Sequence, residues 1–233
     1  MYFYGFDWTY FVFILPCVII TLFCQVKVKS TFSKYSKIRN SRNMTGAQAA
    51  EYVLRQNGVT GVRIEHTEGS LSDHFDPRTN VIRLSDTVYN SNSVAAIGVA
   101  AHEAGHAVQH AQNYLPNKIR GIILPLANLG SKLSWILILL GLVFTAKVGY
   151  TFLYIGIIMF SLSVLFTLAT LPVEFNASKR ALECIRENNL LVDEEYKGAK
   201  RTLQAAAMTY VAAALTAVMQ LLRLIVIARS RRR

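Results

Sequence analysis

The sequence predicts a mostly α-helical integral membrane protein with about four transmembrane helices and a small α+β domain. The 233-residue chain is 52% hydrophobic, which is high for a soluble domain of this length. Uncharged runs occupy Trp8 to Val26, Thr151 to Val173 and Ala205 to Leu222. Each run is close to the roughly 20 residues that cross a bilayer. The polar segment between the first two runs contains strand-like and helix-like patterns, which predict the α+β part.

Residues 1–26 are expected to form a retained transmembrane anchor. The segment is hydrophobic like a signal peptide, but it has no basic start and no small-residue cleavage pattern after Cys24. The three cysteines, Cys17, Cys24 and Cys184, are odd in number and none belongs to a metal-type pair. The sequence therefore predicts neither a disulfide framework nor a cysteine zinc site.

Residues 27–44 form a basic juxtamembrane linker. Six basic residues follow the anchor, at 27, 29, 34, 37, 39 and 42, in a chain of net charge +11. Their position beside an apolar run favours contact with the anionic headgroups of a lipid bilayer rather than with a nucleic acid. The chain also lacks a Gly-rich phosphate loop, so an ATP-driven activity is not expected.

Residues 45–116 carry the signals of a folded segment. Thr45 and Gln48 have capping-box spacing and open a predicted helix that Gly58 would end. Alternation predicts strands over Val62–His66 and Asn80–Ser85, with turn-forming residues at Asp73–Arg78 between them. A further helix is expected over the alanine-rich run from Ser93 to Gln112.

This last helix contains the sequence His102-Glu103-Ala104-Gly105-His106. Residues four apart lie on one helix face, so the two imidazoles can bind one metal ion. Glu103 lies beside them, where a carboxylate can accept a proton from a water activated by the metal. The alternative is a helix with ordinary surface or core histidines, but five histidines in the chain make this spacing improbable by chance. The pattern predicts one Zn²⁺ per chain.

A catalytic zinc ion needs a third protein ligand. His110 would lie about 12 Å along the helix from His102, at roughly 1.5 Å per residue, which is too far. Residues 117–173 are predicted to be a transmembrane hairpin, although Lys132 interrupts its first half. Because the hairpin crosses the membrane twice, Glu174 returns to the face that carries His106. Glu174 is the preferred ligand, and the alternative is a solvated carboxylate at a helix end.

The third-ligand segment covers residues 174–204, and an apolar helix with a basic tail covers 205–233. The chain resembles the YugP-like neutral zinc metallopeptidases of bacterial membranes. The resemblance rests on three motifs, which are Asp73–Arg78, Ala100–Ala107 and Leu171–Ser178 with the adjoining Arg180-Ala181-Leu182. It covers nearly the whole chain.

The resemblance implies a zincin-like metalloendopeptidase of the H-E-x-x-H…E type. In it His102 and His106 are zinc ligands and Glu103 is the catalytic base, with a polypeptide as substrate. Glu174 looks like the third-ligand glutamate of related membrane proteases. Those often have an aspartate four residues later, where this chain has Ser178. Candidates for supporting the ligands or the oxyanion are His74, Ser178 and Arg180, and the spacing does not select among them or Tyr89 and Tyr114.

Substrate binding and sidedness are two further expectations. The strand containing Val81, Ile82, Arg83 and Leu84 is a candidate for pairing with an extended peptide, and the alternative is an edge strand with no ligand. The basic residues at 27–42 and between 174 and 201 favour a multi-pass protein of the cell membrane whose catalytic face is cytoplasmic. A spanning last helix would place Arg229 to Arg233 outside, against that rule.

Two other functions are compatible with parts of the sequence. An intramembrane protease would need the metal motif inside a span, yet polar residues at 90–93 precede this one and indicate a capped helix. A non-catalytic membrane scaffold stabilised by zinc is the second alternative. The intact Glu103 disfavours the scaffold, because structural zinc needs no base beside it.

Overall fold

A computed structural model describes residues 8–144 and 146–232 of the chain. The helices in this part are α1 (Trp8–Phe13), α2 (Leu15–Tyr35), α3 (Gly46–Gln56), α4 (Val94–Ala111), α5 (Leu115–Val143), α6 (Ala146–Glu187) and α7 (Asp193–Arg232). The strands are β1 (Arg63–Thr67), β2 (His74–Asp76) and β3 (Val81–Ser85). The described protein is thus mostly helical with one small sheet, as the sequence predicts.

Four helical stretches are long and apolar enough to cross a membrane. They are Trp8–Tyr35, Leu115–Val143, Lys147–Glu187 and Asp193–Arg231, judged by length and composition. Three of them are longer than expected. Helix α2 continues through the first half of the basic linker, and α6 passes through Pro172 to end at Glu187. Helix α7 begins at Asp193 rather than at residue 205. The predicted third-ligand segment is therefore helical from its first residue.

The residues divide into two compact units. One, here called the metal-site unit, contains residues 24–117 and 172–208. The other, here called the apolar helical unit, contains residues 8–23, 118–171 and 209–232 of the described chain. Helices α2, α5, α6 and α7 each contribute residues to both units.

The helices of the metal-site unit begin at the residues that the sequence indicates. Thr45 caps α3 in a complete capping box with Gln48, and Gly58 follows the helix with a φ of +66°. Ser93 caps α4 by accepting a hydrogen bond from the backbone N–H of Ala96. Satisfying these N–H groups stabilises a helix start by about 1 kcal/mol.

The sheet has the strand order β1-β3-β2, with β1 parallel and β2 antiparallel to β3. Strand β2 lies within Asp73–Arg78, for which the sequence predicted only a turn. Its two ends are fixed by carboxylates. Asp73 accepts hydrogen bonds from the N–H and the hydroxyl of Ser85, and Asp76 accepts from the N–H of Arg78 and the hydroxyl of Thr79. Three residues are enough for a strand here because β3 supplies a ready partner.

The two faces of the sheet differ. Ile82 and Leu84 of β3 are buried in the core of the unit with residues of α3 and α4. The opposite face carries charge, with Arg83 3.7 Å from both Glu65 of β1 and Asp76 of β2. The helices therefore cover one face of the sheet, and the other face is polar.

Candidate metal centre

Helix α4 lies in the centre of the metal-site unit. Most of its residues are buried, many of them alanine or glycine. Gly105 shows why small residues are needed, because a Cβ added there would lie 2.7 Å from the carbonyl oxygen of Ala177 on α6. The sequence run Ala104-Gly105 thus lets the backbone of α6 approach α4 at the level of the two histidines.

This close approach brings His102, His106 and Glu174 together. One donor atom from each residue lies within 4.8 Å of the other two. The carboxylate Oε2 of Glu174 is 3.4 Å from Nε2 of His102 and 3.5 Å from Nε2 of His106. The side chains of all three are largely buried, with Glu174 4% exposed.

The donor set fits a zinc ion. Bonds of 2.0–2.1 Å in tetrahedral geometry separate ligand atoms by about 3.4 Å, close to the observed distances. Oε2 of Glu174 is also buried without a hydrogen-bond partner among the described residues, because its contacts with the histidines lack hydrogen-bond geometry. A buried carboxylate oxygen without a partner is costly, and a cation between the three donors would satisfy it.

Negative charge surrounds the histidines. Burial lowers the pKa of His106, but the neighbouring carboxylates of Glu174 and Glu103 raise it, and the net pKa is above the ordinary value. Glu103 is 9% exposed and follows His102 directly on α4. The carboxylates that favour protonation of the imidazole would also favour a divalent cation bound to it instead of the proton.

The imidazole of His106 is hydrogen-bonded to Gln109, which was not among the residues singled out from the sequence. Its Nδ1 lies 3.1 Å from Oε1 of Gln109, which is fully buried. The amide nitrogen of Gln109 donates to the carbonyl of Val173 at 2.8 Å and to Oδ1 of Asn176 at 2.9 Å. Since the amide nitrogen is used by these two acceptors, Oε1 accepts from Nδ1–H of His106 and leaves Nε2 free for a metal.

His102 has its own partner on α6. The hydroxyl of Ser178 lies 3.1 Å from Nδ1 of His102, so this serine occupies the place where related proteases often carry an aspartate. A hydroxyl accepts the Nδ1–H as a carboxylate would, but it brings no charge. Glu174 and Ser178 are four residues apart and face α4 together.

The remaining candidates lie away from the three donors. His110 is exposed at the end of α4 and contacts the ring of Phe75, 5.8 Å between ring centroids. Arg180 donates to Asn176 and to Gln112, and it lies over the ring of Tyr114. Arg180 therefore meets the histidines only indirectly, through Asn176 and Gln109.

Val81, Ile82, Arg83 and Leu84, the candidates for pairing with an extended peptide, do not lie in an edge strand. They lie in β3, the central strand, which has β1 on one side and β2 on the other. The free edge near α4 belongs instead to β2, whose Phe75 contacts His110. His74 precedes Phe75 on this strand and so points to the opposite, polar face, away from α4.

The sequence contained signals for the residues that were missed. Gln109 follows His106 by three positions, so it shares a helix face with that histidine. Asn176 lies between Glu174 and Ser178 in the resemblance motif. Both residues are polar groups in otherwise apolar helix surroundings, which is the usual mark of a buried hydrogen-bond network.

A buried helix with two histidines four apart, a glutamate between them and a carboxylate from a second helix is the arrangement typical of zinc metallopeptidases. Comparison with known families agrees. Residues 10–229 match the family described as "Putative neutral zinc metallopeptidase", and the chain belongs to that family. This confirms the family that the sequence motifs indicated.

A curated relative supports the same family. The chain is 43% identical over 208 residues to a protein of Bacillus subtilis (strain 168) described as "Putative membrane protease YugP". The alignment covers 89% of this chain and 91% of the relative. No solved structure shows significant similarity to the chain.

Proposed function

We propose that this protein is a membrane-embedded zinc metalloendopeptidase that binds one zinc ion through His102, His106 and Glu174. The observation that carries the proposal is the meeting of these three donors beside Glu103, with a buried oxygen of Glu174 left without a hydrogen bond. Membership of a zinc metallopeptidase family supports the identity of the metal.

Zinc, when bound, polarises a peptide carbonyl and lowers the pKa of water toward about 7. Glu103 then accepts the proton of the attacking water and delivers it to the leaving amine. Its position next to His102 on α4 and its low exposure keep this carboxylate beside the reacting groups. Ser178 and Gln109 hold the two imidazoles with Nε2 toward the metal.

The peptide substrate is proposed to add to the outer edge of β2. Within the described part of the chain no strand pairs with that edge. Phe75 of β2 contacts α4 one turn beyond His106, so an extended peptide on this edge would lie close to the metal ligands. Because β2 has only three residues, it offers few backbone hydrogen bonds to a peptide, and side-chain contacts would supply most of the binding affinity.

The membrane setting is part of the same proposal. Four membrane-length helices and the description of the Bacillus subtilis relative support it. The six basic residues at 27–42 favour a cytoplasmic catalytic face, and those at the end of α7 oppose it. Arg231 has a structural reason for its position, since it donates to the carbonyls of Gly141 and Leu142 at the end of α5.

The decisive experiment measures zinc content and hydrolysis on the full-length protein purified in detergent. We expect about one zinc per wild-type chain, and its loss in His106→Ala and in Glu174→Ala. His110→Ala and Glu183→Ala are matched controls, because both remove an exposed group of the same type from the same helices. Zinc retained in Glu174→Ala would refute the proposed third ligand.

Catalysis is tested with Glu103→Gln, using unfolded casein as the substrate. This variant should keep zinc and lose hydrolysis by a factor of at least about 10², the scale of general-base catalysis. If zinc-loaded wild type and Glu103→Gln both fail to cleave, and both behave alike in cells, the alternative of a zinc-stabilised membrane scaffold is favoured.

A further inference from the structure

The apolar helical unit contains cations but, in its described residues, no carboxylate. No aspartate or glutamate occurs in residues 8–23, 118–171 or 209–232. The basic residues of the same ranges are Lys118, Arg120, Lys132, Lys147, Arg223, Arg229, Arg231 and Arg232. Most of them lie near helix ends, where water and lipid headgroups can solvate them. Lys132 and Arg223 lie inside apolar stretches.

Arg223 is satisfied within the unit. Its Nε donates to the hydroxyl of Thr9 at 3.2 Å, and its guanidinium lies over the ring of Tyr10. Lys132 differs, because it makes no hydrogen bond or ion pair with any described residue.

The packing of α5 against α6 defines the depth of Lys132. A Cβ added at Gly130 would lie 2.6 Å from the carbonyl of Met159, and the rings of Trp135 and Phe160 are 6.1 Å apart. Lys132 lies between these two contacts on α5, so it is level with Met159 and Phe160.

Phe160 is at the middle of the uncharged run of α6. That run extends from Val148 to Val173, so each of its ends lies roughly 18–20 Å from Phe160 at about 1.5 Å per residue. The four-carbon stem of lysine is far shorter than this distance, so the ammonium group cannot reach a headgroup at either end by extending along the helix. Lys132 is thus a mid-bilayer cation if the run spans the membrane.

Lys132 also faces outward. The residues of α5 that pack in the unit are Ala127, Gly130, Ser134, Ile138 and Gly141, which lie on one side of the helix. Lys132 lies on the opposite side and is exposed, as are the apolar side chains of Leu129, Ile136 and Leu139 around it. An unpaired cation among lipid-facing apolar groups is expensive, and such residues are normally paired.

We propose that Lys132 is the docking point for a transmembrane helix of another protein that carries an aspartate or glutamate at mid-bilayer depth. The inference rests on the membrane embedding proposed above and is independent of peptidase activity. Charge complementarity selects the partner, since an ammonium group in hydrocarbon needs a carboxylate at the same depth. A second copy of this chain does not supply one at that depth, because the described residues of its apolar helical unit contain no acid.

The surface beside Lys132 suits a helix. Trp135, one turn further along α5, lines an apolar cavity of about 560 Å³ within the unit. Its lining includes Ala213 and Ala217, which are four apart on α7, and Thr216. Small residues let helix backbones approach closely in membranes, and a hydroxyl can hydrogen-bond across them.

The test uses full-length protein in phosphatidylcholine vesicles and synthetic polyleucine helices labelled for energy transfer. One peptide has a central Asp, and the matched peptide has Leu there. We expect the Asp peptide to associate about tenfold more tightly, the scale of a polar contact between membrane helices. Lys132→Met should abolish this preference, and Lys147→Met, at the end of the same hairpin, should keep it. Lys132→Glu should instead favour a peptide with a central Lys.

Each contrary result has a distinct meaning. Equal association of the Asp and Leu peptides, or a preference that survives Lys132→Met, would overturn the proposal. Suppression of the preference by anionic phosphatidylglycerol would show that a lipid phosphate occupies Lys132, which also overturns it. Zinc content of the Lys132 variants reports whether the metal-site unit is still folded.

Membrane embedding is checked separately. The chain has two tryptophans, so Trp8→Phe leaves Trp135 as the single fluorophore. Quenching should be strongest by lipids brominated near the acyl-chain ends. Strong quenching only by headgroup labels would show that this part of α5 is not mid-bilayer. That result would place Lys132 near a headgroup and overturn the proposed docking point, whereas the zinc and hydrolysis experiments do not depend on it.

Discussion

Helices α4 and α5 are both rich in apolar residues, but they place them in opposite environments. In α4 nearly every apolar side chain is buried by the rest of the metal-site unit. In α5 the buried positions are few and mostly small, whereas Ile122, Ile136 and Leu139 are 70%, 58% and 61% exposed. An apolar surface of this kind is rare on soluble proteins, which supports the proposed membrane embedding of α5.

Glycine allows close helix packing in both α4 and α5, but the two contacts have different consequences. Gly105 in α4 lets a neighbouring helix approach so that side chains from two helices can share a metal. Gly130 in α5 also contacts a neighbouring helix closely, but the atoms that a Cβ would meet there belong to Met159 and Leu162 of α6. The first contact serves a polar site and the second serves packing alone.

Substitution of glycine by valine should give the largest contrast between the two helices. In Gly105→Val the new side chain meets the backbone of α6, which forces α4 and α6 apart and separates Glu174 from the histidines. We expect zinc to fall from about one per chain to near zero, with overpacking costing about 1–3 kcal/mol besides the stabilisation lost with the metal. Zinc content and thermal unfolding measure both effects.

The matched control is Gly121→Val in α5. A Cβ at Gly121 meets nothing within 4 Å, so the added side chain has room. Zinc content and melting temperature should stay close to those of the wild type. If Gly105→Val also bound a full equivalent of zinc, the close approach at Ala177 would not be needed for the metal centre.

Substitution of one isoleucine in each helix compares the burial of α4 and α5 without involving the metal ligands. Ile97 of α4 is 1% exposed and belongs to the core, whereas Ile136 of α5 is 58% exposed. Ile97→Ala should destabilise the protein by about 2–5 kcal/mol through lost burial and a cavity. Ile136→Ala in detergent should change stability by less than about 0.5 kcal/mol. Similar losses at both sites would mean that α5 is covered by protein.

The buried amide behind His106 should have a smaller effect. Gln109→Ala removes the hydrogen bond to Nδ1 of His106 and leaves the carbonyl of Val173 without its side-chain donor. We expect zinc affinity to fall by about 10–100-fold, as for other partners of metal ligands. Competition with a chromophoric chelator measures it.

Two further variants test whether the loss of zinc affinity in Gln109→Ala comes from misorientation of the His106 imidazole. Gln109→Glu keeps an oxygen toward His106 and should recover part of the zinc affinity. Gln112→Ala removes only the outer acceptor of Arg180 and should change zinc affinity by less than threefold. An unchanged zinc affinity in Gln109→Ala would mean that packing alone orients His106.

Topology made much of the candidate site predictable. Two membrane-length helices between His106 and Glu174 return the chain to the same side, so the acid could be chosen over other carboxylates from the sequence. Ser178 follows by helical spacing from Glu174. The roles of Gln109 and Asn176 could not be predicted in the same way, because they depend on which atoms of α4 and α6 face each other.

The sheet was less predictable for a physical reason. Asp73 to Arg78 consists largely of turn-forming residues, and β2 exists there because β3 offers a pairing edge and because Asp73 and Asp76 fix its ends. Strand order is also a tertiary property. The pattern of Val81–Ser85 fits an edge strand or a central strand equally well, and only the return of β2 makes it central.

The smallest expected effect is that of substituting Asp86, an exposed residue of the metal-site unit. Asp86 accepts a hydrogen bond from the N–H of Gly69 and lies 2.6 Å from His66, and these contacts lower its pKa below the ordinary 3.8. A lowered carboxyl pKa stabilises the folded state above 3.8, and the contribution is lost as the pH falls through the folded pKa. The melting temperature of Asp86→Asn should therefore lie slightly below that of the wild type at pH 7. The difference should shrink as the pH falls below 3.8, and a difference independent of pH would exclude titration of Asp86 as its origin.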